Sequence, residues 1–411
     1  MNSRKQHKMT SSIDKLVLGL LSAGLITACG STGPTKYTEF AVNDQDASLI
    51  QSKPSYLQPS FTKLIKEGKR NQVLNLMHIG KVALQKNDID EAEMAFEQAL
   101  VQIETVYANN KQAEQARSLW YEEGGKDFKG EPYERAMVYF YRGIIYLIRN
   151  EFDNARATFL SGLMQDAFAE EEQNRSDFAL LMFMAGWSAQ KMGAPDLANE
   201  AYQELAVFRP DFTPPSADQD TIVIAETGKS PRKLADGVGH YQLVFRRGKR
   251  IKDTRVDLVS KNERYAMYPM EDIYWQATSR GGRPFDSIIE GKVSFKQSSA
   301  NFGSGLSNVA GDAMVISGGF GSNSGTNAGA ALSLIGVAAM AMSANAKTRA
   351  DTRYWNNLPD LVHVMTFNSN DLGAPDMFEY KDGQGTVLFS KQADVVHTST
   401  NQTIIWSSNG G

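Results

Sequence analysis

The side chains that most often carry chemistry are few and scattered in this sequence. Its single cysteine, Cys29, leaves no second thiol for a disulfide or a thiolate metal site. The five histidines show no HExxH or His-x-His spacing, and no GxSxG segment supplies a nucleophilic serine. His363 alternates with apolar residues in a predicted strand, so we expect it to face solvent. We therefore expect no catalytic residue, no metal site, no cofactor and no enzymatic activity.

The thiol of Cys29 has a specific context. A basic start is followed by an apolar run, 16–26, and Leu25-Ile26-Thr27-Ala28 leads directly into the cysteine. This is the layout of a secretory signal peptide ending in small residues. It resembles the lipobox of bacterial lipoproteins, which implies cleavage after residue 28 and fatty acylation, palmitate included, of Cys29. A transmembrane anchor is the alternative, but the run is about half of the roughly 20 residues that a spanning helix needs.

The residues after Cys29 and the overall charge narrow the expected location and partners. Gly30 and Ser31 stand where an inner-membrane retention signal would have an aspartate, so the resemblance implies the periplasmic face of the outer membrane. The lipid on Cys29 would then be the membrane contact. The formal net charge is −4, and it becomes more negative without the basic leader. This balance argues against nucleic acid as a partner.

Residues 59–213 show helical periodicity, and one spacing occurs three times. A small residue is followed by Ala at +12, an aromatic residue at +16 and a small or apolar residue at +19. The positions are Gly80, Ala92, Phe96 and Ala99; Gly143, Ala155, Phe159 and Gly162; and Gly186, Ala198, Tyr202 and Leu205, with Pro210 ending the last window. This resembles the tetratricopeptide repeat (TPR). Small residues would let paired helices approach, and the aromatic residue would fill the gap between one hairpin and the next. An ordinary amphipathic hairpin is the alternative.

An aromatic and basic helix is predicted at the start of the second window, behind Pro132. Its candidate partner-binding residues are Tyr133, Arg135, Tyr139, Arg142 and Tyr146. They fit either a concave binding face or helix packing that leaves the arginines exposed.

The pattern changes to period two after a predicted linker, 214–239. We expect a β-rich, sandwich-like domain over 240–411, in which 241–245 and 255–259 form a hairpin around the basic stretch 246–250. Further strands are predicted at 287–295, 361–367, 377–381, 386–390 and 403–406.

One segment, 303–346, does not fit a sandwich because it is rich in Gly, Ser and Ala. We predict an inserted helical hairpin there, packed either on the protein or, alternatively, in a membrane. The predicted fold class is therefore α+β: signal peptide 1–28, flexible tether 29–58, TPR-like array 59–213, linker 214–239 and β-rich domain 240–411.

Three stretches, 129–135, 151–156 and 350–359, are similar to a family of periplasmic TPR-type bacterial lipoproteins. Members tend to be encoded near envelope lipoproteins, including one that activates a penicillin-binding protein. The resemblance implies a cell-envelope setting. We expect a scaffold that binds a protein or peptide partner, in envelope assembly or in the regulation of peptidoglycan synthesis. The alternatives are a structural subunit of an export or appendage complex, and an enzyme acting on peptidoglycan or polysaccharide.

Overall fold

The computed structural model of the 411-residue chain describes residues 38–107, 127–167, 177–236, 242–278, 350–372 and 375–409. Cys29, the predicted strand 287–295 and the predicted hairpin 303–346 lie outside these residues. The chain from Phe40 onward forms one compact unit, so its helices and strands belong to the same body.

The first half of this unit is helical. Its helices are α1 (Asp44–Ser52), α2 (Gln58–Gln85), α3 (Ile89–Tyr107), α4 (Pro132–Ile148), α5 (Phe152–Ala167), α6 (Ala179–Lys191) and α7 (Pro195–Phe208). Helices α2 and α3, α4 and α5, and α6 and α7 pack as hairpins. Helix α1 lies within the segment predicted as a flexible tether. A capping box between Asn43 and Asp46 starts it, since each side chain accepts a bond from the other residue's backbone N–H.

The turns inside the hairpins lie between the glycine and the alanine at +12 of each repeated window. Asn87, Asn150 and Gly193 follow the first helices and have positive φ angles of 55°, 59° and 71°. Asparagine and glycine tolerate this left-handed conformation better than other residues, so they end a helix at low energetic cost.

The glycines of the repeated windows lie directly under aromatic rings. A Cβ atom on Gly80 would be 2.7 Å from Cε1 of Phe96, and Gly143 and Gly186 stand in the same relation to Phe159 and Tyr202. Each ring therefore fills the space over the glycine of its own hairpin, whereas the predicted place of the ring was the gap to the next hairpin.

The other residues of the repeated windows are mostly interior. Ala92, Ala99, Ala155 and Ala198 are buried, and a Cβ on Gly162 would be 2.9 Å from Leu181. Pro210 is exposed, two residues beyond the end of α7.

The second half carries the strands. They are β1 (Thr221–Thr227), β2 (Arg232–Asp236), β3 (Gln242–Arg246), β4 (Arg255–Ser260), β5 (Glu263–Ala266), β6 (Tyr268–Asp272), β7 (Leu361–Phe367), β8 (Met377–Lys381), β9 (Val387–Lys391), β10 (Val395–Thr398) and β11 (Thr403–Ser408). Two short helices are α8 (Ile273–Thr278) and α9 (Ser369–Leu372). The strands form a five-stranded sheet (β10-β11-β1-β7-β6), a four-stranded sheet (β5-β4-β8-β9) and a separate ribbon of β2 and β3.

Two expectations about these strands are wrong. The predicted linker 214–239 contains β1, which pairs in parallel with β11 and antiparallel with β7 at the centre of the larger sheet. The predicted hairpin does not form either, because β3 pairs with β2 while β4 pairs with β5 and β8.

The five-stranded sheet lies between two apolar layers. On one face, Ile222, Ile224 and Trp406 belong to the cluster that includes the helices. On the other face, Val223 and Ile405 pack in a cluster with residues of the four-stranded sheet. The chain is thus an α+β protein, as predicted from its sequence.

Candidate functional site

A non-regular segment of the chain lies against the helices just before β7. We call residues 350–359 the strap. Its Trp355 is fully buried, with its ring centroid 5.7 Å from that of Tyr141 on α4 and 6.3 Å from that of Phe96 on α3. Phe96 and Tyr141 stack on each other at 5.6 Å. The first two hairpins therefore share one aromatic cluster, and the strap completes it.

Arg353 attaches the strap to α2. Its guanidinium donates to the carbonyl of Arg70 at 2.8 Å and to Oδ1 of Asn71 at 2.7 Å. It also pairs with Asp351 at 2.7 Å. Asn71 has non-helical backbone angles, as does Gly68, so α2 bends at the point where Arg353 binds. The Arg353–Asp351 ion pair therefore lies against the helices.

A buried carboxyl group binds the strap's backbone. Oε1 of Glu134 accepts the N–H of Trp355 at 2.6 Å, and Oε2 accepts the N–H of Glu131 at 2.7 Å. Burial raises the pKa of Glu134 to about 7, while the nearby charge of Lys233 opposes the rise. Lys233 is itself paired with Glu131 at 2.7 Å.

A second polar cluster joins the helices to β1. The ammonium of buried Lys81, on α2, lies 2.7 Å from Oε2 of Glu226, and the hydroxyl of Tyr141 donates to Oε1 of the same carboxylate at 2.6 Å. Burial lowers the pKa of Lys81, although Glu226 opposes the shift. Burial and Glu226 together raise the pKa of Tyr141. The cluster is enclosed and its two charges are paired with each other, which suits it to hold layers together.

Further polar contacts line the same face of the helices. Trp187 Nε1 donates to Gln402 Oε1 at 2.9 Å, and Gln402 Nε2 donates to the carbonyl of Leu147 at 2.8 Å. The backbone N–H of Leu180 donates to Glu271 at 3.1 Å, and burial raises the pKa of Glu271 to about 8. The first helices of the hairpins are thus covered by the protein's own sheet and strap.

The predicted partner-binding residues of α4 all have contacts within the chain. The ring of Tyr133 contacts that of Phe245 edge-on at 6.0 Å, and the hydroxyl of Tyr139 donates to Glu104. Arg135 donates to Gln165 and to the carbonyl of Gly130. Arg142 pairs with Glu93 and Glu97, and its guanidinium lies 3.6 Å from the centre of the Tyr146 ring. Both arginines are buried, so the expectation that they are exposed is wrong. These side chains connect α4 to its neighbours.

His363 is also placed differently from the prediction. It is buried in β7, with Nε2 3.1 Å from Oγ1 of Thr227, and burial lowers its pKa to about 4. Within the described ranges, no three His, Cys, Asp or Glu side chains come together as a metal site. In the same ranges, no helix combines the length and apolar character that a bilayer crossing demands.

The sequence carries a local signal for the buried ion pair, although it has no recognisable motif there. Lys81 interrupts the apolar face of a predicted helix, and Glu226 ends an otherwise uncharged apolar run. A charge inside an apolar segment requires a partner when it is buried.

Comparisons with protein-family models, with curated proteins and with solved structures gave no match to this chain.

Proposed function

We propose that this protein is an outer-membrane lipoprotein that acts as a binding scaffold on the periplasmic face. In this proposal, Cys29 carries the lipid anchor, and the three hairpins are TPR-like, with the strands forming a small sandwich beside them. The signal-peptide layout before Cys29 supports the anchor. The glycine–aromatic packing of Gly80, Gly143 and Gly186 supports the repeat assignment.

The strap is the observation that carries the scaffold proposal. It is a non-regular peptide segment held by three kinds of contact: a buried indole in an aromatic cluster, a guanidinium on α2, and a backbone N–H on Glu134. Peptide-binding sites likewise combine main-chain hydrogen bonds with pockets for side chains. We infer that the strap occupies the groove from within the chain, and that a partner segment with a tryptophan and an arginine exchanges with it.

The groove can be tested with a labelled synthetic peptide of sequence 350–359. The full chain with Arg353→Ala loses the contacts that hold the strap to α2 and should bind the peptide more tightly than the parent does. Fluorescence anisotropy measures this binding. A peptide with alanine in place of its tryptophan is the control and should not bind. If a folded Arg353→Ala variant binds neither peptide, or binds both equally, the groove proposal fails.

The anchor is tested separately by cell fractionation. Cys29→Ser removes the acylated thiol, so the protein should leave the outer-membrane fraction or remain as an uncleaved precursor. Ser31→Ala leaves the thiol in place and serves as the matched control. Mature-sized Cys29→Ser protein that still sediments with outer membranes would contradict a lipid anchor at this position.

A further inference from the structure

The ribbon of β2 and β3 and the turn after it concentrate positive charge in an acidic chain. Residues 229–252 contain eight Lys or Arg and one Asp, whereas the whole chain has a net charge of −4. Two of the eight are neutralised locally, since Lys233 pairs with Glu131 and Arg247 pairs with Asp272 and Asp360. Within the described residues, no carboxylate forms an ion pair with the remaining six, which are Lys229, Arg232, Arg246, Lys249, Arg250 and Lys252.

The register of the ribbon separates its two faces. Lys233 and Phe245 are cross-strand partners that face inward, where they contact Glu131 and Tyr133. Because side chains alternate along a strand, the neighbouring pairs lie on the opposite face. These pairs are Arg232 opposite Arg246 and Leu234 opposite Val244. At these two pairs, the outer face of the ribbon combines two arginines with two apolar side chains, and Leu234 is 38 % exposed.

The arrangement of the two arginines is unfavourable for the isolated protein. Like charges directly opposite each other destabilise an antiparallel pair. Among the described residues, Arg232 and Arg246 donate to backbone carbonyls, of Arg247 at 3.2 Å and of Phe245 at 3.3 Å. Neither contact neutralises a charge, so an external anion would relieve the repulsion.

The turn after β3 extends the same surface. A Cβ atom on Gly248 would lie within 3 Å of the backbone of Lys229, so the basic turn is packed against that residue. Lys249 and Arg250 are exposed next to it, and Arg250 is held at a φ of 58°, a conformation that arginine rarely adopts. We call Lys229, Arg232, Arg246, Lys249, Arg250 and Lys252, together with Leu234 and Val244, the basic ribbon.

We propose that the basic ribbon binds the anionic surface of a lipid bilayer. Phosphate-bearing headgroups would neutralise the cations, and the apolar side chains between them would enter the interfacial region. A soluble polyanion would satisfy the charges but would leave Leu234 in water, which is why we favour a bilayer. The proposal does not depend on the lipid at Cys29 or on the strap.

Vesicle sedimentation tests this proposal with the full chain carrying Cys29→Ser, so that no acyl chain contributes. One set of vesicles contains phosphatidylcholine with phosphatidylglycerol, and the other contains phosphatidylcholine alone. We expect preferential binding to the anionic vesicles, weakened by added salt. Each basic side chain near such a surface changes partitioning about fivefold, so Lys249→Gln with Arg250→Gln should lower it about 25-fold.

The matched control removes the same charge elsewhere. Lys63→Gln with Lys86→Gln replaces two exposed lysines of the helical half and should change partitioning by less than about twofold. Leu234→Ser should also weaken vesicle binding, while binding of the protein to a soluble polyanion such as polyglutamate should not change. Three results would overturn the proposal: equal binding to both vesicle types, equal losses in the two double variants, or binding to polyglutamate without binding to anionic vesicles.

Discussion

The buried ion pair between Lys81 and Glu226 allows a quantitative test of how the helices are held on the sheet. Lys81→Met leaves the carboxylate of Glu226 enclosed without its cation, and Glu226→Gln leaves the ammonium of Lys81 without its anion. Breaking one partner of a buried pair costs about 3–5 kcal/mol. The remaining group can also lose its charge, so the loss of stability cannot exceed the cost of neutralising it. At pH 7 that cost is about 5 kcal/mol for a lysine and about 4 kcal/mol for a glutamate of ordinary pKa.

The double variant carries the diagnostic result. With Met and Gln in place, this cluster buries no charge, and the glutamine oxygen can still accept a hydrogen bond from the Tyr141 hydroxyl. We therefore expect the double variant to be more stable than either single variant, with a coupling energy of about 3 kcal/mol or more in a double-mutant cycle. Urea unfolding at pH 7 measures all four proteins.

A second ion pair provides the control for this cycle. Lys53 and Glu91 lie 2.8 Å apart but are partly exposed, so their coupling should be below about 1 kcal/mol. Additive losses in the Lys81–Glu226 cycle, or a coupling no larger than that of the control pair, would refute the conclusion that this pair joins the layers.

Three further predictions concern packing and pH. Gly143→Ala should lower the free energy of unfolding by about 1–3 kcal/mol, since its Cβ would collide with Phe159, and Phe159→Leu should partly restore it; an unchanged urea midpoint would contradict the packing. Trp355→Ala should lower the free energy of unfolding by about 3–5 kcal/mol. Trp275 is 56 % exposed, so Trp275→Ala should lower it by less than about 0.5 kcal/mol. Similar losses in the two variants would mean that the strap is not part of the core. Glu271 has a folded-state pKa near 8, so the native state holds a proton that the unfolded chain releases above about pH 4.5. Stability should therefore fall between pH 4.5 and 8, and Glu271→Gln should make the melting temperature less dependent on pH over that window. A difference in melting temperature between the two proteins that stays the same at every pH would argue against this.

Local sequence signals predicted the elements better than their partners. The strands expected at 361–367 and 377–381 have the bounds of β7 and β8, and the helical windows lie on the hairpins. The sequence could not show that β3 pairs with β2, because β2 is a short, mostly charged or small segment with little β signal. It also hid β1, since a short apolar run between turn residues fits a buried strand and a helix equally well.

The candidate site was predicted least well because its contacts join distant parts of the chain. Alternation in β7 shows which residues share a face, but it does not show that both faces are covered, so His363 was expected in solvent although it is buried. Arg353 and Asp351 could be paired from their spacing, yet nothing local indicates that Asn71 is the next contact. Burial of both partners in a helix–sheet junction likewise cannot be deduced from Lys81 or Glu226 alone.

The polar contacts at this junction also explain why the layers meet in one position. An apolar helix face could slide along an apolar sheet with little change in buried area. One helical turn of movement, about 5.4 Å, would separate Lys81 from Glu226 and Trp187 from Gln402. Each buried polar group left unpaired costs about 1–3 kcal/mol, and more when it is charged. The same contacts that fix the helices on the sheet therefore fix the aromatic cluster of Phe96 and Tyr141, and with it the place where the strap, or a segment exchanging with it, can bind.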